Sequence, residues 1–453
     1  MRQTGRVAGR ILLFYVASVF LLFPFAGFAA ADGGIFVEHE DYIYIEEDSQ
    51  FGVIDYADGI QSLFISVSFA WQDSSKTAWI FPVPSDPDRV EVSIVDGYVS
   101  FAGTDVVERA RDEVADAAQD FTVGYCLSFA VPWVLPMMST DLSMEDGSFA
   151  LGGPSHRGSE TGVTVHTHVE MEGLIVEVIS ATEGKGIYVY LTENGLGMSE
   201  GSVPQLDEYV NEQFAFIVTW IEESGTTLLQ PGVTVRFPTD EMYYPLRLTS
   251  IYGDHKVPMK VIAIGHVSPG VYWDIVSYTE VTHYDGSISG GASHGNDDTP
   301  AGREMEDFVD TIRERWDGRF TVIELSAPSK ALTEDLWIGS YTPLKVSYAE
   351  TVETLFDTAE VLTFFLIFMV LSPFVGIAVG AMVFGREKEY VPISAAMGFS
   401  NMFGILGMLI FALFFKFRNE FSFRQGLSFV ILFSIVFSIA VLTLLGIVYL
   451  SLL

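Results

Sequence analysis

Cys126 is the only cysteine in a chain of 453 residues. That excludes an intramolecular disulfide, a four-cysteine zinc site and an iron–sulfur cluster, and the ordinary place for such a residue is an apolar interior. Basic residues are also scarce: 24 Lys and Arg stand against 59 Asp and Glu, for a formal charge of -35. This balance argues against a nucleic-acid partner, because phosphates would be repelled rather than neutralised. An acidic surface of this kind serves solubility, suits a saline setting and collects divalent cations without any defined site. No nucleophile elbow, phosphate loop, dinucleotide fingerprint or helical zinc-protease motif occurs, so no catalytic residue and no cofactor are expected.

What the chain does have is apolar length at its two ends, which lifts the mean hydropathy to +0.34. Arg2, Arg6 and Arg10 precede an almost unbroken apolar run from Ile11 to Phe28, which leaves through Ala29-Ala30-Ala31 before Asp32. A basic flank, an apolar core and a small-residue exit make a secretory signal over residues 1–31, so everything downstream is expected outside the cytoplasm.

Three apolar stretches close the chain: Val361 to Phe384, Ile393 to Phe415 and Leu427 to Leu450. Each reaches roughly 35 Å as a helix, enough for the roughly 30 Å core of a bilayer. None holds a charged residue, which argues against a proton relay, an ion pathway or a voltage sensor. Gly376 and Gly380, and then Gly398, Gly404 and Gly407, permit close helix approach, and Pro373 predicts a kink in the first stretch. Three crossings put the Lys416 to Arg424 link outside and the C-terminus inside. That opposes the positive-inside rule, since the inner link then carries only Arg386 and Lys388.

Between the ends, aromatic and β-branched runs such as Ser62 to Phe69 and Val163 to Val178 predict strands. Trp79-Ile80-Phe81-Pro82-Val83-Pro84-Ser85 ends a strand in a rigid extended segment. Helices are expected near 105–119, capped by Thr104 or Asp105, and over Glu304 to Trp316. Phe129 to Met138 is an apolar, Pro-broken run. The Gly-rich stretches 143–162 and Asp285 to Gly302 predict loops, and Ser340 to Ala349 an extended lead into the membrane. The expected fold class is therefore α+β: a strand-dominated extracytoplasmic domain, with parts 32–142 and 163–350, followed by three transmembrane helices over 361–450.

Phe69-Ala70-Trp71 and Ala78-Trp79-Ile80-Phe81-Pro82-Val83-Pro84-Ser85 resemble the DUF2330 family of exported prokaryotic proteins. The resemblance continues through Ile175 to Ala181, Leu191 to Gly195, Leu206 to Tyr209, Phe214 to Val218, Val235 to Asp240 and Tyr244 to Leu248, in order over about residues 32 to 270. It implies an exported, often membrane-tethered domain and brings no activity, cofactor or catalytic residue. The chain departs from the family in placing Asp32-Gly33-Gly34 where a Cys-Gly-Gly segment is usual, so any metal or redox role of such cysteines has no counterpart here.

The best local constellation for chemistry is His166-Thr167-His168-Val169-Glu170-Met171-Glu172. On a strand, residues two apart share a face, so His166, His168 and Glu170 are candidate metal ligands, or else the solvated face of a half-buried strand. The functional expectation is a membrane-anchored surface binding or assembly module with a membrane or surface protein as partner. An accessory subunit of a membrane signalling or transport complex and a metal-dependent hydrolase are the alternatives.

Overall fold

The computed structural model describes residues 34–37, 45–69, 77–123, 162–171, 173–194, 200–221, 230–252, 256–293, 299–357, 360–385, 387–418 and 421–453. The signal segment, Cys126, the Phe129 to Met138 run and residues 143–161 lie outside them.

In the first half of the chain the strands are β1 (Gly34–Val37), β2 (Ile45–Ala57), β3 (Ile60–Phe69), β4 (Thr77–Val83), β5 (Glu91–Asp105), β6 (Val163–Met171), β7 (Leu174–Ala181) and β8 (Ala215–Ile221). The rest are β9 (Pro231–Pro238), β10 (Met242–Tyr244), β11 (Lys256–Ile264), β12 (Ser268–Pro269), β13 (Thr279–Ala292), β14 (Arg319–Pro328) and β15 (Leu336–Gly339). Twelve of them run in the order β11-β14-β13-β5-β9-β3-β2-β1-β4-β8-β7-β6, with β11 pairing a second time, parallel, with β2, and β10-β15-β12 form a separate three-stranded sheet. The strands from β2 to β11 thus close into a ring of hydrogen-bonded neighbours, which removes their open edges. Strands from before the 143–162 stretch (β2, β3, β5) and after it (β9, β11, β13, β14) share this ring, so both parts of the sequence build one body.

One side of the ring, carrying Ile54, Leu63, Val235 and Val261, packs against Phe81, Val178 and Ile217 of the β4-β8-β7-β6 sheet. The helices are α1 (Val106–Phe121), α2 (Gly184–Glu193), α3 (Val203–Asn211), α4 (Pro300–Glu314) and α5 (Leu344–Phe356), followed by α6 (Glu360–Val383), α7 (Tyr390–Phe399), α8 (Gly404–Phe417) and α9 (Phe423–Ser451). The other side of the ring, with Val53, Phe64 and Ile262, takes the apolar stripe Met305, Phe308, Val309 and Ile312 of α4, while α2 and α3 cover the outer face of the smaller sheet. Each of these large apolar side chains stabilises the fold by roughly 1.5–3 kcal/mol through burial. Pro82 is tolerated inside β4 because β1 covers only Thr77 and Ala78, leaving the Pro82 position paired with β8 alone.

Three expectations are corrected. The 285–302 loop is instead β13 as far as Ala292, because Gly286 and Gly290 let it lie hard against β5. Ser340 to Ala349 is not extended to its end: Pro343 caps α5, whose Val346, Ala349, Val352 and Phe356 recur at helical spacing and are buried. The three transmembrane helices do not stand either. Among the described residues only Leu362–Val383 and Phe423–Ser451 are long and apolar enough to cross a membrane. The middle stretch breaks at a 3-10 segment, Ser400–Phe403, into α7 and α8. There Gly398 meets α6 so closely that an added Cβ would lie 2.3 Å from the Ser372 carbonyl oxygen, and Asn401 Nδ2 donates to Ser372 Oγ at 3.4 Å. Helix α6 runs through Pro373 without interruption.

The ring is joined to the helical end through α1 and α5. Asp105 caps α1, accepting from the Val107 amide at 2.7 Å. Arg109 on α1 bonds both Asp285 of β13 and Glu353 of α5, its Nε lying 2.7 Å from Glu353 Oε1. Phe121 stacks on Phe364 and meets Phe437, so α1 ends against α6 and α9.

Candidate functional site

The strand bearing the candidate metal ligands is β6, which turns into β7 at Gly173 (φ +86°). A bulge between Val165 and Thr167 takes His166 out of the alternating row. Its Nδ1 lies 2.7 Å from Asp88 Oδ1 and its Nε2 2.8 Å from Ser180 Oγ. His168 Nδ1 faces Glu177 Oε1 at 2.9 Å, and Glu170 stands 4.0 Å from His168 Nε2. Among the described residues no three His, Cys, Asp or Glu side chains converge as a metal set. The better-built group here is Glu177, which also accepts from the Tyr190 hydroxyl and from Trp220 Nε1 at 2.8 Å. Burial, followed by the neighbouring carboxylate, pushes the Tyr190 hydroxyl up, so it remains a donor. Only folding brings Glu177, Tyr190 and Trp220 together, and no sequence spacing announces them.

His266 and His283, isolated in sequence, meet at 5.8 Å between ring centres, where the ring of strands joins α1 and α5. The His266 side chain is fully buried, with Nδ1 3.1 Å from Glu350 Oε1 and Nε2 3.3 Å from Asp285 Oδ1. His283 Nε2 lies 2.9 Å from the Val267 carbonyl oxygen. Burial pushes the His283 imidazole below its ordinary value of 6.5, and the bond to Val267 only partly offsets this. A depressed histidine contributes stability that is present above its unfolded-state pKa and is lost as pH falls through the folded one. Lowering the pH from 7 to 5 is therefore expected to lower the wild-type denaturation midpoint more steeply than that of His283→Gln, as read by urea titrations at both pH values. Parallel slopes in the two proteins would refute the assignment.

A concave site among the described residues lies elsewhere. An open groove of about 720 Å³ is lined by Gly59, Pro84, Arg89, Pro238, Thr239, Asp240, Glu241 and Trp337. Its floor is set by the two-residue β2–β3 turn, in which Asp58 (φ +53°) and Gly59 (φ +77°) take the left-handed pair that such hairpins need. The Thr239 amide donates to the Gly59 carbonyl at 3.0 Å, and Tyr56 Oη donates to the Asp240 carbonyl at 2.9 Å, which holds the β9–β10 corner. Pro84 and Pro238 stiffen two walls by fixing their own torsions. Arg89 closes a 3-10 turn, Pro87–Arg89, capped by Asp86. Trp337, 38 % exposed, lines the groove, and its ring meets Tyr243 edge-on at 5.0 Å between centres. No ion pair is formed by Arg89, Asp240 or Glu241 among the described residues. The groove therefore offers an aromatic plate, one cation and two carboxylates on a preorganised rim.

The description "uncharacterized protein conserved in bacteria (DUF2330)" matches residues 26–266. The chain belongs to the DUF2330 family. Every groove residue except Trp337 falls within the matched part of this DUF2330 chain, whereas α4 to α9 lie beyond it. No curated protein matches. Among solved structures, a baculovirus P35 mutant after caspase cleavage is similar at 8 % identity and a TM-score of 0.24, covering 64 % of this chain and 99 % of that one. P35 in its caspase-8 complex is similar at 8 % identity and a TM-score of 0.23, covering 65 % and 96 %. Superposition at that level does not establish a shared fold.

Proposed function

We propose that this chain is a membrane-anchored binding module on the outer side of the bacterial cytoplasmic membrane, and that the groove beneath Trp337 seats an exposed segment of a neighbouring surface protein. The observation that carries this reading is the groove itself: a stiff, concave site whose aromatic plate and unpaired charges of both signs match a peptide's apolar side chains, carboxylates and amines. The anchor has its own support. In both α6 and α9 only 28 % of the most apolar window is buried, which supports a membrane anchor over a pair of core helices. Leu362, Phe374 and Met382 of α6 and Ile431, Ile439 and Ile447 of α9 remain exposed, a surface that lipid would cover.

The test is recovery of partners with the full-length protein from mild detergent, quantified by mass spectrometry. The doubly substituted Trp337→Ala, Arg89→Glu protein is expected to lose at least about tenfold of one specific partner, as removal of an aromatic anchor and reversal of a charge would produce. Lys260→Ala, which breaks an exposed ion pair on β11 away from the groove, should leave recovery unchanged. Equal recovery with all three proteins would remove the groove from consideration.

A further inference from the structure

We infer that the chain crosses the bilayer twice, on α6 and α9. The segment α7–α8 would be a re-entrant hairpin that enters and leaves through the cytoplasmic leaflet, and the C-terminus would lie on the same side as the folded domain. This goes beyond the anchoring reading above and rests on it.

Contacts at the two ends of the bundle decide the topology. At the domain end, the last turn of α9 is held by side chains of α1 and α5. Arg111 donates to the Leu452 carbonyl, Lys345 Nζ donates to the Leu453 carbonyl at 3.0 Å, and Tyr348 Oη is 2.9 Å from Ser451 Oγ. Two cations thus sit on carbonyls that a helix C-terminus leaves unpaired, where its dipole favours positive charge. Because α1 is tied to β13 through Arg109, the chain's end cannot be separated from the domain by a bilayer. Only an even number of crossings links α5 to that end.

At the far end, Phe384 closing α6 meets Tyr390 at the start of α7 at 5.6 Å, Phe421 at 4.9 Å and Phe429 of α9 at 5.6 Å. Phe415 near the end of α8 also meets Phe421, at 6.4 Å. The exit of α6, both mouths of the α7–α8 pair and the start of α9 therefore gather in one place. From there α7 climbs antiparallel to α6: a Cβ on Gly380 would strike Ser394, one on Gly376 would lie 2.4 Å from the Ser394 carbonyl, and Asn401 reaches Ser372 at the apex. Ser372 is eleven residues from Val383, about 17 Å along a helix, roughly half the height of the Leu362–Val383 span. Ser372, Ser394, Ser400 and Asn401 are all at most 1 % exposed, so the polar side chains at the irregular turn are shielded by protein at mid-membrane depth, while the exposed residue there, Phe403, is apolar and suits lipid.

Charge gives independent support. Arg386, Lys388, Lys416, Arg418 and Arg424 all belong to the two links at the far end, with only Glu387, Glu389 and Glu420 among them. At the domain end stand Glu113, Asp116, Asp120 and Glu360; burial, and after it neighbouring carboxylates that include Asp116, raise the Glu113 carboxyl above its ordinary value. With both links on the cytoplasmic side, the distribution obeys the positive-inside rule and places the cations against anionic lipid headgroups. Three crossings would instead put three of the five cations outside.

The experiment introduces Glu389→Cys, Ser422→Cys and Leu453→Cys singly into the full-length protein. Spheroplasts are treated with a membrane-impermeant maleimide before and after permeabilisation, and the labelled peptides are identified by mass spectrometry, so Cys126 needs no replacement. The expected result is labelling of Leu453→Cys before permeabilisation and of the other two only after it. Early labelling of Ser422→Cys with late labelling of Leu453→Cys would establish three crossings and overturn the hairpin. Release of the unsubstituted protein by alkaline carbonate would overturn the anchor itself, and so distinguishes failure of the anchoring reading from failure of the hairpin.

Discussion

Asp335→Ala is expected to lower the stability of the folded domain by about 3–4 kcal/mol, a drop of roughly 8 °C in thermal midpoint for a body of this size. One oxygen of this buried carboxylate accepts three bonds, from Tyr209 Oη and the Leu246 and Arg247 amides, each at 2.9 Å. Truncation strands all three donors in the interior, next to a guanidinium whose Nε lies 3.7 Å from the other oxygen. Asp335→Asn keeps an oxygen where the three donors converge and should cost only about 1–2 kcal/mol. Burial pushes the Asp335 carboxyl above the usual carboxylate range, and the amide, hydroxyl and guanidinium donors only partly reverse this. A raised acid stabilises the fold below its unfolded-state pKa and loses that contribution as pH rises through the folded value. The advantage of wild type over the Asn variant should therefore shrink on going from pH 5 to pH 8. Tryptophan fluorescence in detergent checks both statements, since all 7 Trp residues precede α6 and report on the domain alone. An alanine variant as stable as the asparagine one would refute the account of the network.

Gly286→Ala should be comparably severe, costing about 3 kcal/mol or preventing folding. A Cβ at this position would lie 2.0 Å from the Ala102 carbonyl oxygen and 2.5 Å from the Gly103 Cα, both backbone atoms of the paired strand β5. No rotamer relieves a collision with backbone, so β13 would have to part from β5 and open the ring. Gly186→Ala is the matched control: the nearest atom to its Cβ is 3.8 Å away and the residue sits inside α2, where alanine is the better helix former. That variant should melt at or slightly above the wild-type temperature in the same fluorescence assay. If Gly286→Ala melts with it, the close approach of the two strands is not what holds the ring.

These two residues show where sequence reasoning stops. Gly286 lies in a run of Gly, Ser and Asp that reads as a loop, because small polar residues supply no local preference for a strand. What makes it a strand is the backbone of β5 lying against it, and β5 is almost two hundred residues earlier in the chain. Asp335 belongs to no motif, and its partners come from α3 and the segment after β10. The His166, His168, Glu170 row was visible as an alternation, but the bulge that takes His166 to Asp88 was not, because a bulge is set by how β6 pairs with β7. The groove was legible only in fragments. Pro84, Pro238 and Asp240 lie in segments that carry the family resemblance, yet nothing in their spacing joins them to Trp337, which comes from a distant part of the chain.

The sequence by itself determined whatever is decided within a helical turn or a strand's alternation. That includes the family over residues 26–266, the capped helix after Asp105, the Pro-terminated strand before Ser85 and the apolar length of the α6 and α9 segments. These follow from side-chain chemistry acting on near neighbours, where periodicity, capping and torsional restriction operate. Only the tertiary structure decided that β11 closes on β2, that His266 and His283 share one junction, and that the middle apolar stretch folds back on itself. Each of these depends on contacts between segments far apart in the chain. For the middle stretch the deciding contact is that of Gly398 and Asn401 with α6, since hydropathy measures how apolar a segment is and carries no information about where it turns.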